Sequence, residues 1–276
     1  MKLVDELVEL ILKATSDIPL DVERALVKAY ETEHSELGKT QLKAILENIR
    51  LARKLRIPVC QDTGILHFYL DFGAKSRLSI LEVKQSILEA TKKATEVIPL
   101  RPNAVHPLTR VNSGDNTGLL VPIIDWSFNE SDEVKITVIP KGAGSENVSK
   151  AIVLPPALGV KGIAKFVLNC VVEAMGKPCP PTIIGVGIGG SLELAAKLAK
   201  KAHLRPLGSR HPDPQIAELE EKLLNAINML GIGPMGLGGK WTSLDVKIEI
   251  AHTHTASLPV AVSFQCWASR RASITV

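Results

Sequence analysis

Four cysteines are the residues of this chain best suited to metal or nucleophilic chemistry. Cys60 lies between a predicted helix and a predicted strand, Cys179 is flanked by prolines that prevent helix, and Cys266 follows a predicted strand. Ligands on rigid loops of this kind can converge on one point from distant parts of a chain. No close Cys-x-x-Cys pair occurs, so spacing alone does not identify a metal site.

The remaining cysteine, Cys170, lies on a helical apolar pattern and is predicted to be a small buried hydrophobe. Four cysteines are too few for a disulfide-stapled secreted fold of this length. In a reducing cytoplasm, the three loop cysteines are better interpreted as metal ligands or nucleophiles.

Three cysteine ligands are compatible with either of two kinds of metal site. Structural zinc needs a fourth ligand, which His252 or His254 could supply in a non-catalytic Cys₃His module. A [4Fe–4S] cluster normally takes four thiolates, so three leave one iron open to act as a Lewis acid in a dehydration. At this point both alternatives stay open.

A glycine run at 185–190 fits the G-x-G-x-x-G pattern of dinucleotide-binding proteins. The acidic residue expected about 20 residues later at the end of a second strand is absent, and Arg205 and Arg210 occupy that region. A nicotinamide oxidoreductase is therefore disfavoured. The glycines are predicted to let backbone approach a cluster, a substrate or the next helix.

The elements that must position these residues are alternating helices and strands. The first hundred residues are predicted to be mainly helical, while two pairs of strands follow one another directly in sequence. Periodicity and turn residues predict helices near 3–11, 40–55, 80–97, 157–175, 191–202 and 213–230, and strands near 65–73, 119–127, 133–141, 182–188, 245–254 and 258–266. We expect one α/β domain over residues 1–276, with a mixed sheet or sheets packed with helices and a helix-rich N-terminal region.

Composition excludes several classes of protein. Apolar residues make up 45% of the chain, but no run approaches the ~20 residues needed to span a bilayer. Asp5 and Glu6 interrupt the first apolar pattern, which predicts an amphipathic helix and not a secretory signal. The net charge of +4 is made of interleaved signs, and aromatics are only 4%, so no nucleic-acid partner is predicted. A cytoplasmic protein with an anionic substrate is expected.

Several motifs in one order resemble a known family. The motifs lie at 60–64 (Cys-Gln-Asp-Thr-Gly), 100–103 (Leu-Arg-Pro-Asn), 141–147 (Lys-Gly-Ala-Gly-Ser-Glu-Asn), 178–181 (Pro-Cys-Pro-Pro), 252–255 (His-Thr-His-Thr) and 265–271 (Gln-Cys-Trp-Ala-Ser-Arg-Arg). They resemble class I fumarate hydratases and L-tartrate dehydratases, specifically the α subunit of the two-subunit enzymes or the N-terminal half of single-chain fumarases. The similarity covers nearly the whole chain.

The resemblance implies a [4Fe–4S] cluster on Cys60, Cys179 and Cys266, with substrate at the fourth iron. Cys170 could compete with Cys179, but the proline-flanked cysteine fits the family pattern better.

The resemblance also implies the roles of the residues around the substrate. Gln61 and Asp62 would contact it, Arg101 would pair with a substrate carboxylate, and the backbone at Gly144 would approach it closely. His254, oriented by Asp62, would be the general acid for the leaving hydroxyl, with His252 as the fallback. Both histidines fall on the same face of a predicted strand, so the sequence does not separate them.

The base for the carbon-bound proton is missing, because the chain stops before the domain that carries it in single-chain members. The resemblance therefore implies a separate β subunit, a heterotetramer of two αβ units, and little activity for this chain alone. The expected reaction is the reversible hydration of fumarate to L-malate, a step of the tricarboxylic acid cycle. The alternative is dehydration of L-tartrate to oxaloacetate.

Overall fold

A computed structural model describes residues 2–276, which fall into two compact units. The first comprises residues up to Pro19, Asn48–Gly142 and Arg270–Val276. The second comprises Leu20–Glu47 and Ala143–Ser269. The expected single functional domain over 1–276 stays a prediction. Within residues 2–276, no helix is both long and apolar enough to cross a membrane.

Helices and strands of both units confirm the predicted α/β class with mixed sheets. The helices are α1 Lys2–Ser16, α2 Leu20–Thr32, α3 Glu36–Leu55, α4 Ile80–Val97, α5 Ala143–Glu146, α6 Gly159–Ala174, α7 Leu192–Lys201 and α8 Pro214–Met229. The strands are β1 Ile65–Gly73, β2 Ile123–Asn129, β3 Val134–Lys141, β4 Lys150–Leu154, β5 Thr182–Gly190, β6 Ser243–Thr253, β7 Leu258–Gln265 and β8 Ala272–Thr275.

The first unit contains a four-stranded sheet in the order β2-β1-β3-β8. β1 is parallel to β2 and antiparallel to β3. Alternate residues of β1, such as Phe68 and Leu70, are buried in a core that also contains Leu7 of α1 and Ile87 of α4. This period of two is what a strand with one covered face requires.

The second unit contains a four-stranded sheet in the order β4-β7-β5-β6, in which β5 and β6 are parallel. Its core joins Val167 of α6, Ile227 of α8 and Phe264 of β7, and each is fully buried. The strands at the centre of this sheet are apolar over most of their length, as expected when both faces are covered.

Local sequence accounts for several helix boundaries. Ser79 and Glu82 form a capping box at the start of α4, which spans the predicted residues. Asp213 accepts a hydrogen bond from the Gln215 amide at the start of α8, and Pro214 occupies the first turn.

Strand order differs from chain order in both sheets. β1 lies between β2 and β3, and β5 lies between β6 and β7. The strands β2 and β3 are therefore not hydrogen-bonded to each other, although they follow one another in sequence, and the same holds for β6 and β7. The predicted strand start at 119–122 is wrong: Leu119 and Leu120 are exposed in a turn, and β2 begins at Ile123. The short edge strands β4 and β8 were missed because four or five residues give too little periodicity.

Candidate active site

The segment 60–64 forms a tight turn between α3 and β1. The Asp62 carboxylate accepts a hydrogen bond from the Gly64 amide at 3.0 Å. Gly64 has a φ of +78°, and a Cβ there would lie 2.7–2.9 Å from the Lys141 backbone, so only glycine fits. Cys60 is half-buried on this turn and Gln61 is exposed.

The turn is bound to the segment that carries Arg101. The buried Thr63 hydroxyl accepts from the Arg101 amide at 3.1 Å and lies 3.3 Å from the Arg101 carbonyl. The Asn103 side chain donates to the Gly64 carbonyl at 3.2 Å. Two predicted motifs, and with them Gln61, Asp62 and Arg101, are therefore brought together in the first unit.

Arg101 has an exposed side chain, and its guanidinium makes no ion pair within residues 2–276. Its backbone, in contrast, is fixed by Thr63 and by the buried Asn116, whose amide donates to the Arg101 carbonyl at 3.1 Å. Arg101 thus has a fixed backbone and a planar guanidinium that can reach solvent. This combination suits a residue that binds the carboxylate of a ligand.

Sequence reasoning missed Thr63 and Asn116 as supports of the site. Asn116 also accepts from the Asn103 amide at 2.6 Å and has a φ of 59°. Asparagine tolerates this left-handed region better than most residues. Its place in the turn-forming segment 113–116 was the available signal.

The motif at 141–147 begins beside the same turn. A Cβ at Gly142 would lie 3.0 Å from an Asp62 carboxylate oxygen, so glycine allows this close approach. Gly144 is exposed in the short helix α5, and a Cβ there would meet only the Lys177 carbonyl at 3.5 Å. The chain's own packing does not require glycine at 144, and the predicted approach to substrate stays a prediction.

Cys179 and Cys266 lie on adjoining loops of the second unit. The Trp267 amide donates to the Cys179 carbonyl at 3.2 Å. Cys179 has a φ of 53°, a conformation that non-glycine residues seldom adopt and that is concentrated at functional sites. Both thiols are half-buried and neither is in a disulfide.

Cys170 is buried in α6, as predicted. Burial raises the pKa of its thiol to about 11. A thiol that keeps its proton is a poor metal ligand, because the thiolate is the binding form.

The two histidines are exposed at the end of β6. The strand ends at Thr253, so His254 lies in the following turn, where its Nδ1 accepts from the Ala256 amide at 3.1 Å. His252 therefore lies within the strand and His254 one residue beyond its end. Asp62 and His254 belong to different units, and their pairing stays a prediction.

Arg270 lies in the motif at 265–271 but was given no role from the sequence, yet it contacts the predicted site. Its Nη2 donates to the Asp62 carbonyl at 3.0 Å, and the residue is 3% exposed. Nε and Nη1 are also buried and have no hydrogen-bond acceptor within residues 2–276. Buried donors normally have partners, so this guanidinium lacks an anionic or polar group.

The cofactor predicted for the three loop cysteines is an iron–sulfur cluster. No group of three or more His, Cys, Asp or Glu side chains in the described part of the chain is arranged to hold one metal ion. A cluster bonds each thiolate to a different iron, so its ligands need not meet at one point. Three half-buried loop thiols, none of them in a disulfide, and the buried Arg270 donors without an acceptor are compatible with such an anionic group.

The glycine run lies within β5 and forms no phosphate-binding loop. A Cβ at Gly185 would lie 2.0 Å from the Ala199 carbonyl, and one at Gly187 would lie 1.9 Å from the Ala195 carbonyl. These glycines let α7 pack against the strand, which was one of the three predicted explanations for them.

Comparison with known proteins defines the class. Residues 4–275 match the family model described as fumarate hydratase (Fumerase), so the chain belongs to this family of hydro-lyases.

Named relatives are similar over nearly their full length. The chain is 53% identical over 275 residues to the "Putative L(+)-tartrate dehydratase subunit alpha" of Methanocaldococcus jannaschii, covering 99% of this chain and 96% of that protein. It is 41% identical over 279 residues to the L(+)-tartrate dehydratase subunit alpha of Escherichia coli strain K12, covering 99% and 91%.

Proposed function

We propose that this chain is the α subunit of an iron–sulfur hydro-lyase that reversibly hydrates fumarate to L-malate. The observation that carries the proposal is the fixed junction between the Cys60–Gly64 turn and Arg101, made by Thr63 within a chain of the fumarate hydratase family. This junction puts a potential cluster ligand, a carboxylate and a free guanidinium in one part of the first unit.

Cys60, Cys179 and Cys266 are proposed to hold a [4Fe–4S] cluster. None of the three is in a disulfide, and all three lie outside the helices and strands. When bound, a cluster with one iron lacking a protein ligand supplies a Lewis acid for a substrate hydroxyl.

The other predicted site residues bind and orient the substrate. Arg101 holds one carboxylate by two parallel hydrogen bonds, while Gln61, Asp62 and the Gly144 backbone contact the rest of the molecule. His254 delivers the proton to the leaving hydroxyl, with Asp62 as its orienting carboxylate. Exposure of His254 supports this role, because its ring can be reached by a ligand.

A second candidate substrate is L(+)-tartrate. It differs from malate by one hydroxyl, and the two relatives reported above carry tartrate dehydratase names. The proposed site residues of this chain bind features that both substrates share, so they serve either reaction.

A β subunit is proposed to complete the enzyme. The relatives are named as alpha subunits, which supports a second subunit, and we assign the base for the carbon-bound proton to it. Two αβ units in a cytoplasmic complex remain the expected assembly.

Anaerobic purification of the co-expressed αβ complex tests the proposal. We expect a brown protein that contains iron and sulfide and turns over fumarate or L(+)-tartrate, and the ratio of the two kcat/KM values identifies the substrate. A colourless complex with zinc, or one inactive on both acids despite an intact cluster, would refute it.

A further inference from the structure

Arg270 is a buried cation without a counter-ion. Only its Nη2 has an acceptor, the Asp62 carbonyl, and no carboxylate within residues 2–276 forms an ion pair with it. Arginine does not lose its proton in proteins, so this residue cannot become neutral to avoid the cost of burial. The site therefore needs an anion to be electrically balanced.

Arg205 is a second partly buried arginine in this chain, and it has carboxylate partners. Its Nη1 lies 2.6 Å from the Glu220 carboxylate and 3.5 Å from that of Glu249. Like Arg270, it has a buried nitrogen without an acceptor, Nη2. The absence of a carboxylate partner is thus specific to Arg270 in this comparison.

The place of Arg270 in the sequence and structure indicates which anion it serves. It follows Cys266 along the chain and binds the backbone of the turn that begins with Cys60. A [4Fe–4S] cluster with three thiolates is anionic, and its sulfur atoms accept hydrogen bonds that tune its reduction potential.

We propose that Arg270 is a positioning residue that donates its Nε or Nη1 hydrogens to a sulfur of the cluster while Nη2 holds the Asp62 backbone. This inference rests on the proposed cluster site. A nearby cation favours the more negative, reduced cluster, so Arg270 raises the reduction potential. A substrate carboxylate is the competing anion, and the experiment separates the two.

The test is an anaerobic redox titration of the αβ complex carrying Arg270→Gln or Arg270→Lys. We expect Arg270→Gln to lower the reduction potential by the equivalent of a tenfold change in the reduction equilibrium, about 59 mV for one electron. Arg270→Lys keeps the charge and loses the fork, so its shift should be smaller. Arg205→Lys is the matched control and should leave the potential unchanged.

Three results overturn the inference or its basis. Wild-type potentials in both Arg270 variants refute a contact with the cluster. A raised Michaelis constant with an unchanged potential assigns Arg270 to a substrate carboxylate instead. If circular dichroism shows that Arg270→Gln is unfolded, the reduction potential of the Arg270→Lys complex decides whether Arg270 contacts the cluster. A wild-type complex without iron and sulfide refutes the proposed function itself, which is a separate outcome.

Discussion

Cys170 and Cys179 are close in sequence but differ in their surroundings. Cys170 is held in an apolar helix with a raised pKa, whereas Cys179 occupies a left-handed position on a loop beside Trp267. Burial in the helix core keeps the Cys170 thiol protonated, and the protonated form is a poor metal ligand. Residue type alone does not distinguish these two cysteines; their environments do.

Replacing each cysteine with serine tests this contrast. We expect Cys60→Ser, Cys179→Ser and Cys266→Ser each to abolish the intact cluster, because serine does not replace a thiolate ligand. Cys170→Ser should keep wild-type iron and sulfide per αβ complex and lose only some thermal stability. Loss of the cluster in Cys170→Ser with full content in Cys179→Ser would reverse the assignment.

Arg101 offers a second test at the scale of one side chain. Arg101→Lys keeps the charge but loses the planar fork, so we expect a weaker hold on substrate with an undisturbed cluster. Losing a hydrogen bond to a charged group costs about 1.5–3 kcal/mol, roughly tenfold or more in apparent affinity. Steady-state kinetics of the complex measure this as a raised Michaelis constant. A wild-type value would remove Arg101 from the site.

At the scale of elements, the contact between β5 and α7 explains the glycine run that resembles a nucleotide-binding motif. Ala195 and Ala199 of α7 are buried together with Ala261 of the neighbouring strand β7, so small residues on the helix and the sheet permit a close approach. The glycine pattern at 185–190 is therefore explained by the packing of α7 on β5, and it does not indicate a phosphate-binding site.

Gly187→Ala should therefore destabilise the second unit. Its new Cβ would fall 1.9 Å from the Ala195 carbonyl, which is backbone and cannot move aside cheaply. Overpacking of this kind costs typically ~1–3 kcal/mol, which thermal denaturation would register as a lower Tm. Gly118→Ala is the control, since nothing lies within 4 Å of a Cβ there. Equal Tm values for the two variants would contradict the packing explanation.

The whole molecule, as proposed, is one half of an enzyme. The described residues include candidate cluster ligands, the Arg101 guanidinium that we propose binds a carboxylate, and the exposed His254, while the base is assigned to a β subunit. Substrate binding and proton delivery would then be properties of the complex.

Turnover of the isolated and complexed chain tests that division. Reconstituted alone, the chain should show negligible hydratase activity, and addition of the cognate β subunit should restore it. In the complex, His254→Asn should lower kcat by about 10²–10⁴-fold with a modest change in KM, because proton delivery contributes on this scale. His252→Asn, the control on the same strand end, should matter less. Full activity without the β subunit would disprove the split site.

Much of the secondary structure was determined by local sequence. The capping box at Ser79 and the proline at 214 mark helix starts that depend on nearby residues only, and α4 spans the predicted range. The motifs likewise revealed the family, which the match over residues 4–275 confirms. Patterns of this kind are local in sequence, so one chain is enough to recognise them.

Tertiary structure alone decided strand order and the supports of the site. β1 separates β2 from β3 because pairing is settled by long-range packing, which no local period encodes. Sequence reasoning likewise gave no role to Thr63, Asn116 or Arg270, whose hydrogen-bond partners lie far along the chain. A hydrogen bond between such distant residues exists only after folding, and for that reason the sequence predicted the chemical groups but not the contacts that hold them.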